Sequence, residues 1–293
     1  MTELVAGLID VFADAPLNGN PLAVVEGGDE LPDATLRRVA GEFNQAETTF
    51  LLRSTRADWR LRSFTASGAE IFGAGHNALG AWLWLAERGL LGRLDLPRTF
   101  HQEIGNDVLP ITLQRRDGRV FGRMKQAPLR LGRPFADVSA LAAALQLNDA
   151  DVLTRPAPRV ADTGAGHLMV RVRDAASVDR ARPTADVLLK VLRDAEAEGC
   201  YVYSFDSAAP GSAYARFFNP TVGLWEDAAT GTAAGPLCGY LGAENLLGRE
   251  EGALLVEQGV AMGRRSLLHV RLTPEPELSG SGAVVLRGTL RVR

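Results

Sequence analysis

Residues Gly73 to Gly92 read GAGHNALGAWLWLAERGLLG, and the fold is decided there. Glycine, alanine and glycine are followed by His76, and then no charge occurs from Ala78 to Ala86. A surface helix carries a polar face, and this segment has none over two turns, so it is expected to be a helix buried on all sides. Its glycine-rich start leaves backbone N–H groups open, a setting that favours an anion such as a carboxylate. The device occurs twice. From Thr230 the chain reads TGTAAGPLCGYLGAENLLG, and a shift of 156 positions lays Gly75 on Gly231, Ala78 on Ala234 and Leu90-Leu91-Gly92 on Leu246-Leu247-Gly248. The second copy is uncharged from Ala233 to Ala243. Matched spacing and matched lack of charge imply two related halves.

The rest of the 293-residue chain fits such a plan. It is 46% hydrophobic and 23% charged, with net charge −3 and pI about 5.9, so nothing points to nucleic acid or an anionic membrane. No uncharged apolar run reaches the roughly 18 residues of a spanning helix. The N-terminus has an acidic Glu3 and no basic region, so a signal peptide is not expected and the cytoplasm is. Two cysteines exclude a disulfide framework, and histidines at 76, 101, 167 and 269 show no zinc spacing, so no metal is expected.

Alternating stretches predict strands at Leu4–Phe12, from Pro21 to Val25, in Asn44–Leu52, and at Trp59–Phe64, Leu94–Leu96, Val108–Leu113 and Val120–Met124. Asp33–Glu42 reads as a helix. Gln126–Pro134, with two prolines, reads as a linker, which divides the chain into 1–126 and 127–293. Beyond it, helices are expected at Val138–Leu147 and Ala185–Glu198. Strands are expected at His167–Val172, Cys200–Phe205, Ser212–Phe218, Ala253–Glu257, Ser266–Leu272 and Ala283–Arg291. Asn219–Thr232 is expected to be a loop delivering the second buried helix. Many short strands around one apolar helix in each half, without strict alternation, make this an α+β protein rather than a doubly wound sheet.

Several residues could carry chemistry. Glu47, in Gln45-Ala46-Glu47-Thr48-Thr49-Phe50, enters a strand bound for apolar surroundings. A carboxyl held there would have a raised pKa suited to a general acid or base, although a glutamate at a strand end ordinarily belongs on the surface. His76 at the helix start either acts as a neutral hydrogen-bonding group or caps the helix. Its counterpart Thr232 donates a hydrogen bond or caps likewise. Asp227 precedes the second glycine start and either binds an amine or hydroxyl or makes an Asx-type turn, and one of Glu226 and Asp227 is expected to be merely solvated. GAGHNALG superficially matches a dinucleotide fingerprint with Asp95 downstream, but Gly80 falls too late and no βαβ frame surrounds it. Cys200 and Cys238 read as buried structural thiols.

In order and spacing the chain resembles the PhzF-like phenazine-biosynthesis isomerase family, which shares its fold with diaminopimelate epimerase. The matching motifs are Asp10-Val11-Phe12, Gly19-Asn20-Pro21, Asn44–Phe50, Phe64-Thr65, Gly75-His76, Thr163-Gly164 and His167-Leu168. Arg216-Phe217-Phe218, Glu226-Asp227, Thr230-Gly231-Thr232-Ala233 and Glu257-Gln258-Gly259 complete the series. The resemblance implies two similar domains, each a β-barrel-like sheet wrapped around a central helix, with an active site in the cleft between them and a homodimer. It implies that Glu47 is the base, with His76, Asp227 and Thr232 in the catalytic set. Gly75, Asn77, Gly231 and Asn20 are expected beside the substrate. The epimerase branch uses two cysteines at positions that are Ala74 and Thr230 here, and neither can shuttle a proton near neutral pH. A one-carboxylate isomerisation without a cofactor is the expectation, acting on a small carboxylated substrate such as trans-2,3-dihydro-3-hydroxyanthranilate. The chain departs from the family pattern at Ala66, in the longer Ser67-Gly68 loop and at Asn77, all expected at the cleft mouth. The alternatives are a binding protein for small acids and a nicotinamide-dependent oxidoreductase.

Overall fold

The structure is a computed structural model that describes residues 1–208, 211–222, 224–247 and 252–292. Gly223, in the loop expected at Asn219–Thr232, and Gly248, the last glycine of the second copy, lie outside the described residues. The chain forms two compact units: Met1–Met124 with Ser279–Arg293, and Lys125–Leu278.

The first unit contains β1 (Thr2–Val11), β2 (Asn20–Glu26), α1 (Asp33–Phe43), β3 (Glu47–Leu52), β4 (Trp59–Phe64), β5 (Glu70–Ile71), α2 (His76–Glu87), β6 (Arg98–Ile104), β7 (Asp107–Arg116) and β8 (Arg119–Lys125). The second contains β9 (Arg130–Pro134), α3 (Val138–Leu145), β10 (Arg159–Asp162), β11 (Gly166–Arg171), α4 (Ala175–Arg180), α5 (Ala185–Ala195), β12 (Gly199–Phe205), β13 (Ser212–Asn219), β14 (Leu224–Asp227), α6 (Gly231–Ala243), β15 (Ala253–Gln258) and β16 (Ser266–Leu272). The chain returns through β17 (Pro276–Gly280) to β18 (Gly282–Val292) in the first unit.

Pairing within the units proves the duplication. In the first, β1 is antiparallel to β18 and β2, β2 is parallel to β3, β3 antiparallel to β4, and β4 antiparallel to β5 and parallel to β6. In the second, β10 is antiparallel to β9 and β11, β11 parallel to β12, β12 antiparallel to β13, and β13 antiparallel to β14 and parallel to β15. A parallel pair cannot be joined by a tight hairpin, so each needs a crossover. The helix α2 crosses from β4 to parallel β6 and α6 from β13 to parallel β15, so each buried helix does stand in a strand–helix–strand frame that the sequence did not show, at the same point of the same topology.

Three sequence expectations are corrected. The last strand, assigned to the second half within 127–293, belongs to the first unit: β18 pairs along β1 from Thr2↔Val292 to Val11↔Gly282. Its repeat counterpart β9 lies within the expected linker and pairs with β10, so each repeat's final strand completes the other repeat's unit. Leu94–Leu96 is a bend, with Leu96 76% exposed, and the strand begins at Arg98.

The helix α2 is buried from Asn77 to Ala86 because small residues let the sheet come close. A Cβ on Gly80 would lie 2.6 Å from both Val11 Cγ2 and Leu22 Cδ2, and one on Gly7 would lie 2.5 Å from Trp84 Cη2. This close approach, not a phosphate, is the reason for Gly80. The two buried indoles keep their N–H groups satisfied: Trp82 donates to Gln102 (3.0 Å) and Trp84 to Glu26 (2.7 Å). In α6, Pro236 interrupts the helical hydrogen bonds one turn in, and Gly235 leaves room for a side chain. Gln126 fills that room and donates to Gly231 O at 2.8 Å, which anchors the first turn.

Candidate active site

In the first unit, strand pairing and helix entry bring Glu47 and His76 together. Glu47 opens β3 opposite Leu22 of β2, and His76 is the first residue of α2. His76 Nδ1 stands 3.9 Å from Glu47 Oε2, too far for a hydrogen bond. Oε2 itself is buried and has no hydrogen-bond partner among the described residues, although the side chain as a whole keeps 19% exposure. Removal from water disfavours the ionised form, and burial pushes the Glu47 carboxyl up to about 7. It is therefore not the solvated strand-end glutamate that residue type alone would favour. A carboxyl that is half ionised near neutral pH can both take and return a proton.

The turn ahead of α2 is held by Asn77. Its Oδ1 accepts from Gly75 N–H (2.8 Å), and its Nδ2 donates to Gly73 O (3.0 Å) and Ser63 Oγ (3.1 Å). Ser63 Oγ is 2.8 Å from Thr49 Oγ1, two residues along β3 from Glu47. Asn77 is 2% exposed, and these hydrogen bonds hold the turn before α2. Gly75 is the residue before the helix, and a Cβ on Gly73 would meet nothing within 4 Å. Asn20 is buried at the start of β2, opposite Val11.

In the second unit the helix start is held by a chain of directed hydrogen bonds. Tyr201 donates to Gln258 Oε1 (2.8 Å), and Gln258 Nε2 donates to Thr230 Oγ1 (3.0 Å) and to Asp227 O (2.8 Å). Thr230 then donates its hydroxyl proton to Asp227 Oδ2 (2.6 Å). Thr232, in the first turn of α6 after Gly231, lies 3.2 Å from His167 Nε2. Glu226 is not solvated: Arg216 grips it through two hydrogen bonds of 2.8 Å, which leaves Asp227 as the carboxylate at the helix start. Burial pushes the thiols of Cys200 and Cys238 up to about 12, as expected of inert structural cysteines.

Reading residues in sequence does not single out Gln258, Thr230, Gln126 or His167 as supports of this site. Their signal is faint. Gln258 and His167 stand in the Glu-Gln-Gly and Thr-Gly…His motifs, but their hydrogen-bond partners lie 28 to 65 residues away.

A family model described as phenazine biosynthesis-like protein (PhzC-PhzF) matches residues 9–290. The chain belongs to this family. A trans-2,3-dihydro-3-hydroxyanthranilate isomerase from Pseudomonas aeruginosa is 32% identical over 289 residues, covering 96% of this chain and 97% of the relative. The solved structure of a PhzF-family phenazine biosynthesis protein from Bacillus anthracis matches with a TM-score of 0.88 at 25% identity over the whole of both chains. The structure of a predicted epimerase from Pseudomonas aeruginosa matches with a TM-score of 0.82 at 30% identity, over 99% of this chain and all of that one. The α+β, helix-centred fold is that of the family.

Proposed function

We propose that this PhzF-family chain is an isomerase that moves a carbon-bound proton within a small carboxylated substrate, with Glu47 as the only acid/base group and no cofactor. The reading is carried by Glu47, whose buried Oε2 lacks a hydrogen-bond partner among the described residues and whose carboxyl is pushed up to about 7. Its carboxylate takes a proton from one carbon as that C–H bond's electrons enter the adjacent π-system. The π bonds shift, and the same carboxyl protonates the far carbon, so substrate and product are isomers and Glu47 is regenerated. The imidazole of His76, beside Glu47, and the start of α2 are assigned to the charge that develops during transfer. Thr232 and the start of α6 are assigned to the substrate's carboxylate, and Asp227 to its amine or hydroxyl.

The relatives' named substrate, trans-2,3-dihydro-3-hydroxyanthranilate, carries all three groups and is the first compound to try. Action in the cytoplasm as a homodimer belongs to the same proposal. The test is incubation in heavy water with that compound, for the wild type and Glu47→Gln, followed by mass spectrometry. Isomerisation or deuterium uptake by the wild type alone supports the reading. Equal turnover by both proteins removes Glu47 from the role, and binding without exchange by either makes the chain a binding protein.

A further inference from the structure

Among the described residues, the ring of His167 has one hydrogen-bond partner and one unmet nitrogen. It is 2% exposed on β11, opposite Gly199 of β12, and packs edge-on to Phe217 at 78° with centroids 4.8 Å apart. Nε2 meets Thr232 Oγ1 at 3.2 Å. Nδ1 is buried with no hydrogen-bond partner among the described residues. A Cβ on Gly199 would stand 3.3 Å from Nδ1 and 2.5 Å from Phe217 Cζ, so Gly199 and the Phe217 ring crowd this side of the imidazole. Burial outweighs the opposing influence of Asp162 and pulls the ring's pKa down to about 4, which keeps it neutral with a single N–H.

The place of that proton decides what Thr232 can do. On Nδ1 it would be a buried donor with no acceptor among the described residues, and the threonine hydroxyl would be consumed as a donor to Nε2. On Nε2 it reaches Thr232 Oγ1, and only a lone pair is left on the crowded side rather than a stranded donor. The neighbouring relay obeys the same rule. Gln258 Nε2 donates to Thr230 Oγ1, and the Thr230 proton goes on to the Asp227 carboxylate.

We propose that His167 is a positioning residue: as its Nε2–H tautomer it donates to Thr232 Oγ1 and thereby reserves the threonine's own proton for an oxygen anion of the ligand, such as a carboxylate. This rests on the reading that Thr232 binds substrate. The hydroxyl would then serve the ligand as a donor and not as an acceptor.

Two measurements test it, and the first needs no substrate. Protein labelled with 15N-histidine gives long-range proton–nitrogen spectra of four rings, and His167→Phe assigns the ring in question. The expected result is the Nε2–H tautomer, unchanged from pH 5.5 to 8. An Nδ1–H tautomer, or a ring that titrates in that range, overturns the proposal. The second is a double-mutant cycle on binding of trans-2,3-dihydro-3-hydroxyanthranilate by calorimetry, made in the Glu47→Gln background to prevent turnover. His167→Phe keeps a ring against Phe217, and Thr232→Val removes the hydroxyl. Each is expected to weaken binding about tenfold, while the double variant is no weaker than Thr232→Val alone. His167→Gln, whose amide places an N–H near the lost Nε2, should recover part of the affinity. Additive losses would make His167 a packing residue and overturn the role. If no variant binds the compound, the substrate assignment fails, and the tautomer still decides the direction of the His167–Thr232 hydrogen bond.

Discussion

Replacing Glu47 by glutamine should make the protein more stable, by an amount set by pH. The folded chain holds this carboxyl at about 7 against an ordinary 4.5. Between those values the folded state binds more protons than the unfolded chain, so the wild type loses stability as pH rises through the window. At 1.36 kcal/mol per pKa unit, the cost is about 3 kcal/mol at pH 8 and about 1 kcal/mol at pH 5. Glutamine has nearly the same shape and no charge to desolvate, so Glu47→Gln should exceed the wild type by those amounts. Denaturant unfolding followed by tryptophan fluorescence reads it in the right place. Trp82 and Trp84 are fully buried in the first unit, whereas Trp225 of the second is 46% exposed. A stability difference that is the same at pH 5 and pH 8, or a Glu47→Gln protein less stable at pH 8, would refute the claim that burial strains this carboxylate.

Two further outcomes follow. The wild-type kcat/KM for isomerisation should climb as pH rises through about 7 and level off above it, since Glu47 must be ionised to accept the proton; a flat profile from pH 5.5 to 8 would sink the assignment. Asn77→Ala strands Gly75 N–H and Gly73 O in the turn before His76 and should lower stability by about 1–3 kcal/mol by denaturant unfolding. It should also lower kcat more than it raises KM, and wild-type kinetics in the variant would show that the turn holds without it.

How much of this was legible in the sequence depended on range. The two buried helices could be read directly, because a lack of charge over two turns is a local property with one physical solution. Most strands could be read from alternation. The strand β6 could not: its RTFHQEI places Gln102 inward to meet Trp82, which breaks the hydrophobic alternation, while the apolar Leu94–Leu96 beside it is a bend. The ownership of β18 was hidden because pairing with β1, across almost the whole chain, leaves no mark in the strand's own residues. At the candidate site, Glu47 could be named as a candidate from its strand but not told from a surface glutamate, since burial of a glutamate is a property of what surrounds it. The hold of Asn77 on its turn was hidden for the same reason, because the sequence does not show that its amide meets Ser63, Gly73 and Gly75.

Comparing the two units supports the one-base reading from another direction. They share strand order and helix placement, yet their helix starts have parted in polar economy. In the second, Asp227 receives a hydroxyl proton within a relay anchored by Gln258 and Tyr201. In the first, Glu47 Oε2 receives none among the described residues, and its carboxyl lies near neutrality. A reaction run by two matched acid/base groups, one per helix start, would call for similar groups in similar surroundings, and Ala74 and Thr230 supply none. A proton lifted and returned by the same carboxyl calls for one strained group and a partner set built to hold still. Strain is costly in a marginally stable chain, and confining it to one carboxyl limits that cost to a few kcal/mol. The hydrogen bonds that fix Asp227 and Thr230 are then the complement of the one that Glu47 lacks.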